Sequence, residues 1–186
     1  HLNIYNGETL AFFASLGANR WVPPFEISRA SLAAILAEKP DGVATEVFAY
    51  GRLPLAFSAR CFTARHYDLP KDDCRFCCLD HPGGLELATR EREPFLVLNG
   101  IQTQSYRVLN LVDALPDMRE LGVDAVRLSP QPEHMAEVIA AFRAARDGAA
   151  PTTVAALLAP ALPAPACNGY WHGRPGLDYV ACGAAA

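Results

Sequence analysis

The sequence predicts an α/β fold, read as the C-terminal part of a (β/α)8 TIM-like barrel with an irregular, cysteine-bearing insertion. Short apolar runs alternate with segments of helical periodicity over residues 1–148. The runs are too short and too continuously apolar for a half-exposed antiparallel sheet, which argues for parallel strands covered by helices. Four or five such strands are fewer than a closed eight-stranded barrel needs. The chain also opens as though inside a strand, at His1-Leu2-Asn3-Ile4-Tyr5-Asn6. A part-barrel, in an incomplete or processed chain, is therefore expected.

The elements follow in order. Leu2–Tyr5 reads as the end of a strand. Asn6 caps a helix to about Leu16, with Leu10, Phe13 and Leu16 on one face and Gly17 as its stop. Arg20–Val22 is a short strand closed by Pro23-Pro24. Ser28 caps a helix with Leu32, Ile35 and Leu36 at helical spacing, and Val43–Phe48 is the next strand. Residues 49–84 break the rhythm and hold the cysteine segment. Leu85–Thr89 and Phe95–Leu98 form a hairpin about the charged turn Arg90–Glu93. A helix over Val112–Leu121 ends at Gly122, a strand covers Ala125–Leu128, and a helix runs Glu133–Arg146. That last helix carries Met135, Val138, Ile139 and Phe142 as its stripe, with Gly148 after it. Residues 149–186 read as an Ala/Pro-rich linker and C-terminal tail.

Composition narrows the function. The 186 residues are 51% hydrophobic and 19% charged, a globular balance. Net charge is −4 with no basic run, so non-specific nucleic-acid binding has little electrostatic support. No apolar stretch reaches membrane-spanning length; the most apolar, Val154–Leu162, is short and interrupted by Pro160. No secretory signal is visible at the start, so a bacterial cytoplasmic location is expected, where disulfides are disfavoured.

Cys61, Cys74, Cys77 and Cys78 fall within 18 residues. Thiols this dense, with two others elsewhere, point to a metal, an iron–sulfur cluster or a redox pair. Cys77 and Cys78 are adjacent, so their side chains diverge and one chelator is expected from the pair. Three ligands then remain: Cys61, Cys74 and either Cys77 or Cys78. Zinc is the alternative, with Cys74-x2-Cys77 as one pair and His66 or His81 completing the set. Free buried thiols are the plain structural reading. Arg60, Arg65, Lys71 and Arg75 supply positive charge that favours thiolates and offsets a negative cluster. Cys167 and Cys182, in the Gly-rich tail, are weaker candidates.

The run EVFAYGRLPLAFSARCFTARH, followed by KDDCRFCCLD, resembles the collagenase-like peptidases of unassigned catalytic type, whose signature is E-x-F-x-x-G followed by two cysteines. Glu46, Phe48, Gly51 and Cys61 match it, and Pro54 stands where the wider family has its first cysteine. Cys74 and Cys78 follow the C-x12-C-x3-C spacing of the branch that serves oxygen-independent ubiquinone biosynthesis, leaving Cys77 as the extra one. The stretches PFLVLNGIQTQS, GVDAVRLSPQ and CNGYWHGRPG also resemble that branch. The resemblance implies a [4Fe-4S] cluster held by Cys61, Cys74 and Cys78, with a fourth cysteine outside this chain. It further implies a heterodimer with a UbiU-like protein, and a lipid-carrier protein presenting the ubiquinone precursor. Two other functions stay open: a family peptidase or tRNA-hydroxylating relative, and a zinc-stabilised interaction subunit. No Ser/His/Asp or Cys/His pattern supports proteolysis.

Other polar residues carry paired readings. Glu46 lies near the end of a strand, on the face that is catalytic in a barrel, or pairs with an arginine. Arg127, alternating with Val126 and Leu128, is expected to be buried and either ion-paired or bound to an anionic substrate group. Asn99 and Ser129 follow strands as ligand contacts or turn formers. His66 is a donor near the cluster or a structural histidine, and Tyr170-Trp171-His172 either docks a partner or packs the tail.

Overall fold

The computed structural model describes residues 2–181, with Lys71 described by its backbone alone. Helix α1, Gly7–Ser15, starts where Asn6 Oδ1 accepts the Thr9 amide at 2.7 Å. It stops one residue short of Leu16, which is consequently 68% exposed rather than on the core face with Leu10. Strand β1, Arg20–Trp21, leads to α2, Arg29–Ala37, capped by Ser28 Oγ on the Ser31 amide at 3.2 Å. Residues 2–5 form no strand, although Ile4 is buried.

Strand β2, Ala44–Phe57, is the longest element of the sheet and departs most from expectation. Its first half pairs in parallel with β1, Arg20 opposite Ala44, and with β6, Ala125–Leu128, Phe48 opposite Arg127. From Tyr50 onward it pairs antiparallel with β5, Gln102–Asn110. Residues 49–57 are thus strand, not irregular insertion. The period-2 signal is lost there because the register shifts on both sides of Pro54. A proline within a sheet sits at such irregularities, where no ladder amide is required.

The expected hairpin is present as β3, Leu85–Ala88, and β4, Pro94–Asn99. The chain then turns through Gly100 and Ile101 straight into β5, a strand absent from the sequence reading. So short a connection permits only antiparallel pairing. Strand β7, Ala166–Cys167, joins β5 in parallel. The seven strands run β1-β2-β5-β4-β3, with β6 on β2 and β7 on β5. The class is α/β as expected, but the sheet is mixed and, among the described residues, open. Barrel closure is not seen, and only the β1, β2, β6 and β5, β7 pairings are parallel.

Helices α4, Leu115–Glu120, and α5, Met135–Arg146, occupy the predicted segments. Residues 149–166, expected to be linker, contain a sixth helix: α6, Pro151–Leu158, follows the five-residue α3, Phe62–His66, and α4 and α5. Proline in its first turn costs no hydrogen bond, alanines favour helix, and Val154 and Leu158, one turn apart, are buried. The core gathers Leu10, Trp21, Leu32, Val47, Leu53, Val108, Val138 and Phe142 around Tyr50.

Tyr50 has no exposed surface. Its ring meets Phe142 edge-on at 6.0 Å, and its hydroxyl donates to Gln131 Oε1 at 3.0 Å and the Ala161 carbonyl at 3.1 Å. Burial pushes its hydroxyl from the ordinary 10.0 up to about 12. The folded state therefore holds this proton after the unfolded chain has lost it, so stability falls as pH rises from 10. Tyr50→Phe is expected to destabilise by about 1–2 kcal/mol in urea unfolding at pH 7. Above pH 10 the wild type loses up to about 2–3 kcal/mol that the variant keeps, so the gap closes and then reverses.

Candidate functional site

The C-terminal ends of the parallel strands β1, β2 and β6 open into a cleft of about 710 Å³. This is the edge at which α/β sheets bind ligands. Its walls include Phe48, Trp21 and Phe57, and three arginines: Arg20, Arg52 and Arg127. Glu46, 9% exposed, ties two of them together. Arg20 Nη1 donates to Oε2 at 2.5 Å, and Arg127 Nε donates to Oε1 at 2.6 Å. The Arg20 hydrogen bond, opposed by burial and joined by Arg127, holds the Glu46 carboxyl below the ordinary 4.5. The arginine side chains remain 56% and 51% exposed. Arg127 is therefore ion-paired as one reading held, but it is not buried. Each guanidinium keeps donors that Glu46 does not use, so together they can receive one anionic ligand group.

Arg52 plays a different part. Its Nη1 donates to the Ser105 carbonyl at 3.2 Å and to the Tyr106 carbonyl, and its guanidinium lies 5.4 Å from the Tyr106 ring centre. Burial lowers its pKa from 12.5, against the opposing effects of Glu86 and Tyr106. It stands between the cleft and a second cavity of about 250 Å³, which Asn99, Ser129, Pro82 and Gly83 border. Pro82 and Gly83 directly follow the cysteine segment, so the two features adjoin.

The E-x-F-x-x-G residues have separable jobs here. Glu46 holds the arginines and Phe48 lines the cleft. Gly51 has φ of 125°, and a Cβ there would lie 2.4 Å from Ser129 Cβ. No other residue lets β2 approach the turn after β6 so closely.

The cysteines lie on a loop anchored at one side to the β4–β5 turn. Ser58 N donates to Ile101 O at 2.8 Å, and Phe62 N donates to Gly100 O at 2.7 Å. Cys61 caps α3, its Sγ accepting the Ala64 amide at 3.5 Å. Beyond α3 come a 3-10 turn at Lys71–Asp73, then Cys74, then a second 3-10 turn at Cys77–Asp80. Between Cys74 and Cys77, both Arg75 and Phe76 are left-handed, with φ of 52° and 51°. Such residues cost about 1–2 kcal/mol each, and here they reverse the chain so that Cys77 N bonds Cys74 O at 3.3 Å.

All four thiols are free and half-exposed. The Cys77 thiol is pushed above its ordinary 9.0, first by desolvation, then by Cys78, Cys61 and Cys74. Cys77 is the residue set aside on spacing. Its rise runs against the thiolate-favouring effect expected of Arg60, Arg65 and Arg75; Arg75 is drawn to Asp73 at 3.7 Å, with both side chains well exposed. Among the described residues, no three His, Cys, Asp or Glu side chains are arranged to hold a metal ion. Thiol donors of this kind fit iron or an iron–sulfur cluster. For zinc, the histidines are otherwise engaged: His81 Nε2 bonds Tyr67 Oη at 2.5 Å, and His66 packs edge-on against Tyr67.

Cys167 is fully buried in β7, its thiol pushed up to about 11 by burial, an inert packing residue. Cys182 lies outside the described residues. Trp171 is buried and Tyr170 packs on Phe25 at 6.3 Å, while His172 is exposed. Sequence reasoning missed Arg20, Arg52 and Tyr67. Arg20 was visible as a charge opening a strand that ends in Pro-Pro; Arg52 and Tyr67 depend on partners distant in sequence.

An open α/β sheet with an arginine-walled cleft at its parallel strand ends, beside a four-cysteine loop, defines the class of molecule. Over residues 1–178 the chain matches peptidase family U32, and it belongs to that family. No solved structure matches it. Among the described residues, no serine or cysteine hydrogen-bonds a histidine, and no helix is long and apolar enough to cross a membrane.

Glu46→Gln removes the charge between Arg20 and Arg127. It is expected to destabilise by about 1–2 kcal/mol at pH 7 in urea unfolding, less than a fully buried pair because the arginines are half-exposed. A folded carboxyl held below its unfolded value stabilises above that unfolded value and loses its contribution as pH falls through the folded one. The difference between Glu46→Gln and wild type should therefore shrink on acidification through and below the ordinary carboxylate range.

Proposed function

We propose that this U32 chain is UbiV-like: an iron–sulfur subunit that acts with a UbiU-like partner in the oxygen-independent hydroxylation of a ubiquinone precursor. What supports the reading is the placement of Cys61, Cys74, Cys77 and Cys78 on one loop whose arms meet at Tyr67 and His81, at the spacing that resembles that branch. Cys61, Cys74 and Cys78 would hold a [4Fe-4S] cluster with a fourth cysteine from outside this chain. When bound, the cluster supplies electron transfer or activation of the oxygen donor.

The chain's own residues bind and orient. Phe48, Trp21 and Phe57 offer apolar walls to a planar ring, and Arg20 and Arg127 offer hydrogen bonds to an acidic group. A lipid-carrier protein would deliver the precursor, as the resemblance implies. Proteolysis is the second reading, favoured by the family match alone. A tRNA-hydroxylating role is disfavoured by the net charge of −4.

Anaerobic reconstitution of the chain with its partner, followed by iron and acid-labile sulfide assay and EPR, tests the proposal. About four irons per chain are expected, lost when Cys61→Ala, Cys74→Ala and Cys78→Ala are combined. Zinc without labile sulfide would establish the interaction subunit instead. Peptide hydrolysis that survives chelation and air would establish the peptidase.

A further inference from the structure

The cysteine loop has little of its own to hold it in shape. Phe76 and Leu79 are 71% and 77% exposed, so the loop buries few apolar groups. Asp68, Arg75 and Phe76 all have positive φ, between 51° and 53°, which costs backbone energy at each. The anchors at Ser58 and Phe62 fix the Cys61 arm to the sheet, and His81 is tied locally, its amide to Cys78 O at 3.1 Å and its carbonyl to the Gly84 amide at 2.9 Å. None of these bonds joins one arm to the other.

One side-chain contact does. Tyr67 Oη and His81 Nε2 are 2.5 Å apart, and either can donate according to the imidazole tautomer. Their rings stack, with centres 5.7 Å apart and planes at 20°. His66 buttresses Tyr67 from the side at 5.0 Å. Tyr67 directly follows the helix that Cys61 caps; His81 directly follows the turn that carries Cys77 and Cys78. The contact therefore closes a ring of chain with Cys74, Cys77 and Cys78 inside it and Cys61 just outside.

We infer that Tyr67 and His81 form a latch that holds the two thiol-bearing arms together before any metal is present. They are positioning residues and not ligands. The latch limits the ordering that metal uptake would otherwise demand of the loop, and so sets how tightly the thiols take up a metal. Partners that orient metal ligands typically govern affinity by about 10–100-fold. The inference rests on the reading of this loop as a metal-binding one.

The test uses the full chain under anaerobic, reducing conditions with Co²⁺ alone as probe, its thiolate charge-transfer absorption reporting both sulfur ligation and affinity. Tyr67→Phe keeps the stack and removes the hydrogen bond; His81→Ala removes both; His81→Gln restores an acceptor without the stack. Tyr67→Phe and His81→Ala are expected to weaken Co²⁺ binding by about 10–100-fold. The double variant should be no weaker than His81→Ala, and His81→Gln should recover part of the loss. Thermal unfolding monitored by circular dichroism should stay at the wild-type midpoint, which separates loss of the latch from loss of fold. Wild-type affinity in both single variants would overturn the latch, as would a double variant weaker by the product of the singles. If the wild type gives no thiolate absorption, the metal reading fails, and the latch is judged by alkylation. Loss of one hydrogen bond should then speed maleimide modification of Cys74, Cys77 and Cys78 by about 2–10-fold; equal rates overturn it.

Discussion

Strand β2 holds the molecule together because its 14 residues serve neighbours that run in opposite directions. Up to Tyr50 it is the middle of a parallel arrangement with β1 and β6; beyond Tyr50 it is the partner of antiparallel β5. A buried strand must place every amide and carbonyl in a hydrogen bond. The change of partner is possible because Tyr50 pairs with both Leu128 and Asn110, and because Ser129 N and Leu111 N take up the carbonyls of Tyr50 and Ala49. The core then forms around the same residue, with Tyr50 packed on Phe142 and bonded to Gln131 and Ala161.

Both candidate sites follow from that strand. Its parallel half supplies Glu46 and Phe48, at the edge where neighbouring strands end together and leave a cleft. Its antiparallel half carries Arg52 past the cleft and runs out at Phe57, four residues before Cys61. Cleft and cysteine loop are therefore neighbours by covalent connection. Arg52, tied to the carbonyls of Ser105 and Tyr106, divides the larger cavity from the smaller one that reaches Pro82 and Gly83.

The two sites differ in rigidity. The arginine pair is fixed by a nearly buried carboxylate on a central strand, so its geometry is set by the sheet. The cysteines sit on a loop with strained backbone and exposed apolar residues, and among the described residues the Tyr67–His81 contact is the side-chain hydrogen bond that ties its arms.

Local chemistry in the sequence determined the helices that carry caps and stripes, the β3–β4 hairpin with its charged turn, and the four-cysteine segment; each is decided by residues close in the chain. Gly51 was legible only as a motif position; its close approach to Ser129 is decided by the pairing of β2. Tertiary structure alone decided the rest. Residues 49–57 look irregular because Pro54 and Gly51 interrupt alternation, and only pairing with β5 makes them strand. The Ala-rich stretch after residue 149 is too weakly patterned to predict, and the buried Val154 and Leu158 make it a helix. Arg127 reads as buried in an apolar strand, yet Glu46 holds it half-exposed at the cleft, alongside an arginine from β1. Partners separated by 26 and 81 residues leave no local trace; they meet because β1, β2 and β6 are hydrogen-bonded side by side.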